Sequence, residues 1–353
     1  MKFRDKKLFY GIINVGILVI ISLFIIFSNF TNFYINLFGL SYLSLILFLF
    51  LYVLITLPLD IITAKKVNLS NEYSMKKILL NNFLIYLILT LFATILFFSY
   101  KSLNFINLLL IILSGQIFIL LTQKIYITTF YSCKNTSVNN INVTKILNSP
   151  SYITMGIITN LYNDRIFVPD YWFSENEKNY NFEISRYKYS IDHGINKKVI
   201  FSALIINTLF STVIFSLLIK VFSNPHQTII IGCCIFNLLS FIYILLLPNI
   251  SQKGVLNVDI HMENIDKKTF EENIKIYEKN QDKNDTINKK IELIFYPIPS
   301  LQTRIKEKRK SIIGLPNISR ILIFLNMINF SLIFKCVHGN AGKPENWFYP
   351  PSQ

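Results

Sequence analysis

Runs of about 20 mostly apolar residues dominate this chain of 353 residues. An α-helix needs roughly that length to cross about 30 Å of hydrocarbon, because each residue advances the helix by about 1.5 Å. The apolar fraction of 52% is also high for a soluble domain. We therefore predict an α-helical polytopic membrane protein of about seven spans, at residues 8–28, 39–59, 79–99, 105–130, 199–222, 227–249 and 319–336.

The formal charge of +15 is concentrated between these runs. Segments 1–7, 60–78, 131–198 and 250–318 together hold 29 of the 35 Lys and Arg residues, and seven spans would put all four segments on one face. The positive-inside rule then predicts an N-terminus inside and a C-terminus outside. Contact with anionic membrane lipid follows from the same charge. No aromatic-basic binding motif accompanies it, so we expect no nucleic-acid partner.

The order of apolar and polar stretches divides the chain into five parts. They are a four-helix N-terminal membrane region at 1–130, cytoplasmic segment one at 131–198, a transmembrane hairpin at 199–249, cytoplasmic segment two at 250–318, and a final span with an exported tail at 319–353. The hairpin brings the two cytoplasmic segments together. We therefore expect them to form one small α+β domain.

Local patterns predict a few elements of that domain. Residues 152–155 and 165–169 are rich in β-branched and aromatic side chains and are separated by turn residues, which predicts a strand hairpin. A helix is expected from Glu183 to Lys198 and to run into the fifth span, with Gly194 as its weak point. A second, polar helix is expected at 266–280.

Four patterns between residues 50 and 305 occur in an order typical of one protein family. They are Leu57-Pro58-Leu59-Asp60, then Asp164 to Asp170 followed by Glu183, then Ser251 to Asp259, and finally Tyr296-Pro297 with Arg304-Ile305. In this order and spacing the chain resembles integral-membrane zinc metalloproteases of the type I CAAX prenyl protease kind. The resemblance implies a peptidase scaffold, with an H-E-x-x-H helix and a distant third zinc ligand.

The chain departs from that family at the metal site. It contains no H-E-x-x-H, and the matching helix reads Tyr187 to His193 with a single histidine. Val255 occupies the position at which the resemblance implies the third ligand. We therefore assign no catalytic residue and expect no cofactor.

An unconventional zinc site is the alternative. Its ligands would be His193, His261, Asp259 and Glu263, with Asp192 nearby, if the hairpin brings these segments together. Two imidazoles and carboxylates are suitable ligands for zinc. The plainer interpretation is that these are ordinary polar residues where the domain meets the membrane.

Other charged residues favour structural ion pairs or contacts with a client. Glu183 and Arg186 are three residues apart on one predicted helix, which suits an ion pair. Asp192 and Arg304 belong to the same group of candidates.

The tail carries Trp347, Phe348 and Tyr349 between prolines. Such a segment favours an extended conformation suitable for recognition by a partner. A disordered end whose aromatic side chains rest at the membrane interface is the alternative.

Three functions remain open from the sequence. The first is a non-catalytic pseudoprotease that binds a peptide or a membrane-protein client. The second is a divergent membrane zinc peptidase that uses His193 and His261. The third is a component of peptide export, immunity or signalling with an exported C-terminal peptide. Residue usage biased towards Asn, Ile, Lys and Tyr is typical of an AT-rich genome, and favours a bacterial plasma membrane as the location.

Overall fold

The computed structural model describes residues 3–67, 75–138, 140–149, 153–159, 164–174, 177–281, 288–306, 314–337 and 339–349. Its helices are α1 (Phe3–Phe27), α2 (Phe30–Phe38), α3 (Tyr42–Leu54), α4 (Leu57–Val67), α5 (Met75–Ser99), α6 (Phe105–Phe130), α7 (Glu177–Asp192), α8 (Ile195–Val221), α9 (Pro225–Leu246), α10 (Pro248–Ile265), α11 (Lys267–Gln281), α12 (Lys289–Phe295), α13 (Leu301–Lys306), α14 (Ile318–Leu325) and α15 (Glu345–Phe348). Its strands are β1 (Cys133–Val138), β2 (Ile141–Ile146), β3 (Gly156–Thr159) and β4 (Asp164–Pro169).

Six helical stretches among these residues are long and apolar enough to cross a membrane. They are Asp5–Phe27, Tyr42–Val67, Met75–Ser102, Phe105–Phe130, Ile195–Val221 and Pro225–Leu246. Their positions agree with the first six predicted spans, and α3 and α4 together form the second. The chain is thus a multi-pass helical membrane protein.

The region of the predicted seventh span has a different structure. α14 ends after 8 residues, at Leu325, and turns follow over 326–330. Phe330 adopts a φ of 71°, and the chain reverses direction there. Residues 314–337 and 339–349, called the C-terminal segment below, therefore enter the helical bundle and return. A single helix at 319–336 is disfavoured because the polar side chains in this run find hydrogen-bond partners inside the bundle.

The strands form one mixed sheet in the order β1-β2-β4-β3. β1 and β2 are antiparallel, β2 and β4 are parallel, and β3 and β4 are antiparallel. The predicted hairpin corresponds to β3 and β4, although its first strand begins at Gly156, beyond the predicted 152–155. Tyr152 lies outside the described residues, and residues 153–155 are not in a strand, so the predicted position of the first strand is wrong. β1 and β2 were not predicted from the sequence.

The helices after β4 pack the two polar segments together. α7 ends at Asp192, and Gly194 follows with a φ of 62°, so the predicted weak point separates α7 from α8. Apolar side chains from α7, α10, α11 and α13 share one buried cluster, namely Phe182, Val258, Met262, Phe270, Ile274 and Leu301. The predicted polar helix corresponds to α11.

Candidate functional site

A buried ion cluster joins α7, α10 and α13, with the fully buried Asp259 at its centre. Arg186 Nη2 donates to Asp259 Oδ1 at 2.8 Å. Arg304 makes a two-pronged contact, from Nε to Oδ2 and from Nη2 to Oδ1, each at 2.7 Å. Paired N–H donors of this kind match the geometry of a carboxylate and hold it in one orientation. Asp259 therefore fixes three helices against one another.

Glu183 completes the cluster. Its Oε1 accepts a bond of 3.2 Å from Arg186 Nη1, the ion pair expected from their spacing on one helix. Asn273 Nδ2 on α11 lies 3.4 Å from Glu183 Oε2. Two arginines and two carboxylates cancel in charge, which makes their joint burial tolerable. The cluster therefore has a structural role, because its ion pairs hold α7, α10 and α13 together.

The candidate metal ligands are distributed differently. His193 and His261 have ring centroids 6.4 Å apart, and the ring of Tyr189 contacts both of them, at 4.0 and 3.8 Å. Asp259 is engaged by the two arginines, and Glu263 lies 3.6 Å from Lys267. In the described parts of the chain, no group of three or more His, Cys, Asp or Glu side chains is arranged to hold a metal ion.

Asp192 lies apart from these residues. It is half exposed and pairs with Lys188 one turn earlier on α7, at 3.1 Å. Of the four charged residues singled out in the sequence, Glu183, Arg186 and Arg304 belong to the buried cluster, and Asp192 does not.

A small cavity lies where the family resemblance implies zinc. It has a volume of 90 Å³, and Arg186, Tyr187, Ser190 and Val255 line it on the α7 and α10 sides. The C-terminal segment supplies a second part of the wall, with Pro316, Asn317, Arg320, Ile321 and Phe324, and residues of α6, β3 and α8 supply the rest. The backbones approach closely here, since a Cβ at Gly254 would overlap the backbone nitrogen of Pro316. The cavity is thus lined by arginine, neutral polar and apolar side chains, and no His, Cys, Asp or Glu is among the described residues that line it.

The tip of the C-terminal segment lies among polar side chains of the bundle. Tyr52 Oη donates to the carbonyl oxygen of Phe330 at 3.0 Å. The polar side chains of the tip bond to α8 and α9, through Asn329 to Ser211, Asn326 to Ser240, and Ser331 to both Ser240 and Asn237. Non-helical backbone at this depth is tolerated only where protein groups satisfy it, and these contacts supply such groups.

Lys335 is the most deeply buried charge of the segment, with 1% of its surface exposed. Its Nζ donates to Thr56 Oγ1 at 2.6 Å, Asp60 Oδ2 at 2.7 Å and Asn82 Oδ1 at 2.6 Å. The ring of Trp347 lies 4.8 Å from the same nitrogen. From its position at the end of the second predicted span, Asp60 is expected to be a helix-end partner for an Arg or Lys, but Lys335 was not named as that partner. The signal was present, because a lysine and an aspartate within separate apolar runs are expected to pair inside a membrane protein.

The tail is packed rather than extended. Trp347 Nε1 donates to the carbonyl oxygen of Asn340 at 3.1 Å, and Phe348 stacks on Tyr126 with centroids 4.9 Å apart. Burial raises the pKa of the Tyr349 hydroxyl well above its ordinary value. The three aromatic residues predicted to form a free recognition segment are therefore buried. Their large apolar area favours this arrangement over exposure to water.

No protein-family model matches this chain, and no curated protein sequence matches it. The structure does join two of the four sequence patterns, because Asp259 from the third pairs with Arg304 from the fourth. The resemblance to membrane zinc metalloproteases stays a prediction.

Proposed function

We propose that this chain is a non-catalytic membrane protein of metalloprotease-like organisation that holds a peptide segment within its helical bundle. The observation that carries the proposal is the position of the C-terminal segment, whose tip bonds to α8 and α9 and whose Lys335 is paired with Asp60. The bundle therefore has a binding site for an apolar segment with a polar turn and a following cation. In this structure the occupant is part of the same chain.

The residues that line the 90 Å³ cavity beside α7 and α10 support a non-catalytic role. Zinc hydrolysis needs neutral imidazoles, a carboxylate ligand and a nearby base. Arg186 and Val255 line the cavity instead, and a guanidinium group repels a metal cation. The C-terminal segment also forms part of the wall of this cavity, with Pro316, Arg320 and Phe324.

The six candidate spans among the described residues, in place of the seven predicted from the sequence, change the orientation that we propose. An even number returns the chain to the side on which it begins, so we propose that both termini face the cytoplasm. The tail supports this assignment, because Glu345 pairs at 2.8 Å with Lys77, in the basic segment 60–78. A fluorescent-protein fusion after Gln353 is expected to fluoresce in cells, and an active alkaline phosphatase fusion at that position would contradict the orientation. The proposed membrane is a bacterial plasma membrane.

The proposed function is tested by measuring whether an added peptide can replace the C-terminal segment in the bundle. Ser240 and Ser331 have hydroxyl oxygens 3.0 Å apart, so Ser240→Cys with Ser331→Cys offers a disulfide that locks the tip in place. A labelled synthetic peptide of residues 318–349 is added to the full-length double variant in lipid nanodiscs. We expect saturable binding when the cysteines are reduced and loss of binding when they are oxidised.

Two controls make the result specific. Wild-type protein given the same oxidant should keep its peptide binding, and each single cysteine variant should do the same. A peptide that binds the locked and unlocked forms equally, or binds neither, would refute the proposal.

A divergent zinc peptidase is the second candidate, favoured by the proximity of His193, directly after α7, to His261 on α10. Elemental analysis of purified protein distinguishes the two. The proposed function predicts the same substoichiometric zinc in wild type and in the His193→Ala, His261→Ala double variant. One zinc per chain in wild type, lost in the double variant together with peptide cleavage, would support the peptidase.

A further inference from the structure

A second cavity lies between α1, α9 and the C-terminal segment. Its volume of 330 Å³ is within the range of about 300–1,000 Å³ that is usual for small-molecule sites. Apolar side chains form nearly all of its wall, including Ile12 and Val15 from α1, Ile244 from α9 and Phe324 from α14. Such a wall suits a hydrocarbon chain and offers little to a polar solute.

The cavity reaches the outer surface of the bundle. Ile12 and Leu245 both line it, and they remain 44% and 38% exposed. Gly16 widens the opening, because a Cβ added there would have nothing within 4 Å. α1 and α9 are both candidate membrane spans, so this opening faces the region where lipid chains lie.

The guanidinium group of Arg320 is positioned to bind the polar headgroup of a lipid whose hydrocarbon chain occupies the cavity. Arg320 lines both this cavity and the 90 Å³ cavity beside α7 and α10. It therefore lies at the boundary between the mainly apolar wall of the first cavity and the more polar wall of the second. A guanidinium group binds phosphate with two parallel N–H donors. Leu8 of α1 also lines the cavity, and it directly follows Lys6 and Lys7 in the chain.

From these features we infer that the cavity binds one acyl chain of an anionic phospholipid of the surrounding bilayer, with the phosphate held at Arg320. The bilayer supplies this ligand directly, at the exposed edge of the cavity beside Ile12 and Leu245. Lipid binding here is independent of whether the bundle exchanges a peptide. A site of this kind would anchor α1 to the C-terminal segment through a lipid.

Photo-crosslinking in nanodiscs tests the inference. The probe is phosphatidylglycerol with a diazirine on one acyl chain, and the labelled peptides are mapped by mass spectrometry. We expect labelling concentrated on α1 around Ile12 and on α9 around Leu245. Phosphatidylcholine with the same chain should label these positions roughly tenfold less, the factor that corresponds to about 1.4 kcal/mol.

Two variants and two matched controls identify the cavity. Gly16→Leu should fill the opening and remove the labelling of α1 and α9, whereas Ser114→Leu, on an exposed part of α6, should not. Arg320→Gln should reduce phosphatidylglycerol labelling to the phosphatidylcholine level, whereas Lys65→Gln, an exposed lysine on α4, should leave it unchanged. Size-exclusion profiles confirm that each variant is folded.

Three outcomes would overturn the inference. Labelling spread evenly over the lipid-facing helices would show ordinary bilayer contact. Equal labelling by the two phospholipids would remove the role of Arg320. Labelling by a diazirine fatty acid, without labelling by phosphatidylglycerol, would assign the cavity to a different ligand.

Discussion

Removal of the Lys335 ammonium group is expected to destabilise the protein strongly. The group donates three hydrogen bonds, to Thr56, Asp60 and Asn82, at 2.6 to 2.7 Å. A hydrogen bond to a charged group contributes about 1.5–3 kcal/mol, which gives a gross loss of roughly 5–9 kcal/mol for three. Lys335→Met also removes the cost of burying the ammonium, which is several kcal/mol. The expected net loss is about 3–5 kcal/mol, the usual result when one partner of a buried pair is removed.

A double-mutant cycle with Asp60→Asn measures the coupling. Either single change leaves a buried charge without its counter-charge, whereas the double variant leaves neither. We therefore expect Asp60→Asn with Lys335→Met to lose no more stability than each single variant, a coupling of about 3 kcal/mol or more.

Reversible unfolding in mixed micelles provides the assay, followed by tryptophan fluorescence. Trp347 is a local reporter, since its ring lies 4.8 Å from Lys335 Nζ. Lys101→Met, at an exposed lysine in a turn, is the control and should change the free energy of unfolding by less than about 0.5 kcal/mol. Strictly additive losses in the cycle, or single losses below about 1 kcal/mol, would refute the buried pair.

Three further predictions concern the polar domain and its contact with the C-terminal segment. Asp259→Asn leaves two buried arginines without their shared carboxylate and should cost about 3–5 kcal/mol in chemical denaturation, and a loss under about 1 kcal/mol would argue against the cluster. Gly254→Ala should lower the midpoint of thermal unfolding because its methyl group overlaps the backbone of the C-terminal segment, whereas Gly16→Ala should not; equal midpoints would contradict the close approach. The hydrogen bond from Lys178 lowers the pKa of the Asp266 carboxyl in the folded protein. The ionised carboxyl therefore stabilises the fold fully at a pH above its pKa in the unfolded chain, about 3.9, and this stabilisation is lost as the pH falls through the lower pKa of the folded protein. Carboxyl NMR titration should show this pKa rising in Lys178→Met, and an unchanged pKa would remove the ion pair from the explanation.

The predictions that succeeded depended on local patterns. Runs of apolar residues placed six helices, because crossing a bilayer requires a helix of a set length whatever its neighbours are. The second strand of the predicted hairpin, observed as β4, likewise depends on residues close together in the chain, whereas the first strand was predicted at 152–155 and lies at Gly156–Thr159. The helix expected from Glu183 to Lys198 is interrupted at its predicted weak point, Gly194. The sequence also indicated the ion pair of Glu183 with Arg186, since three residues separate neighbours on one helical face.

The predictions that failed concerned groups distant in sequence. The run at 319–336 is apolar enough to suggest a span, and the turn within it depends on Tyr52, Ser211 and Ser240, which lie more than 80 residues away. The same holds for the tail, where Phe348 stacks on Tyr126 of α6.

The sequence by itself determined that this protein is helical and multi-pass, because hydrophobicity and helix length are properties of continuous stretches of chain. Only the tertiary structure decided that the C-terminal segment turns back inside the bundle, and that Asp259 forms ion pairs with both Arg186 and Arg304. A buried polar group is stable only where a partner satisfies it, and such partners become neighbours only when the chain is folded.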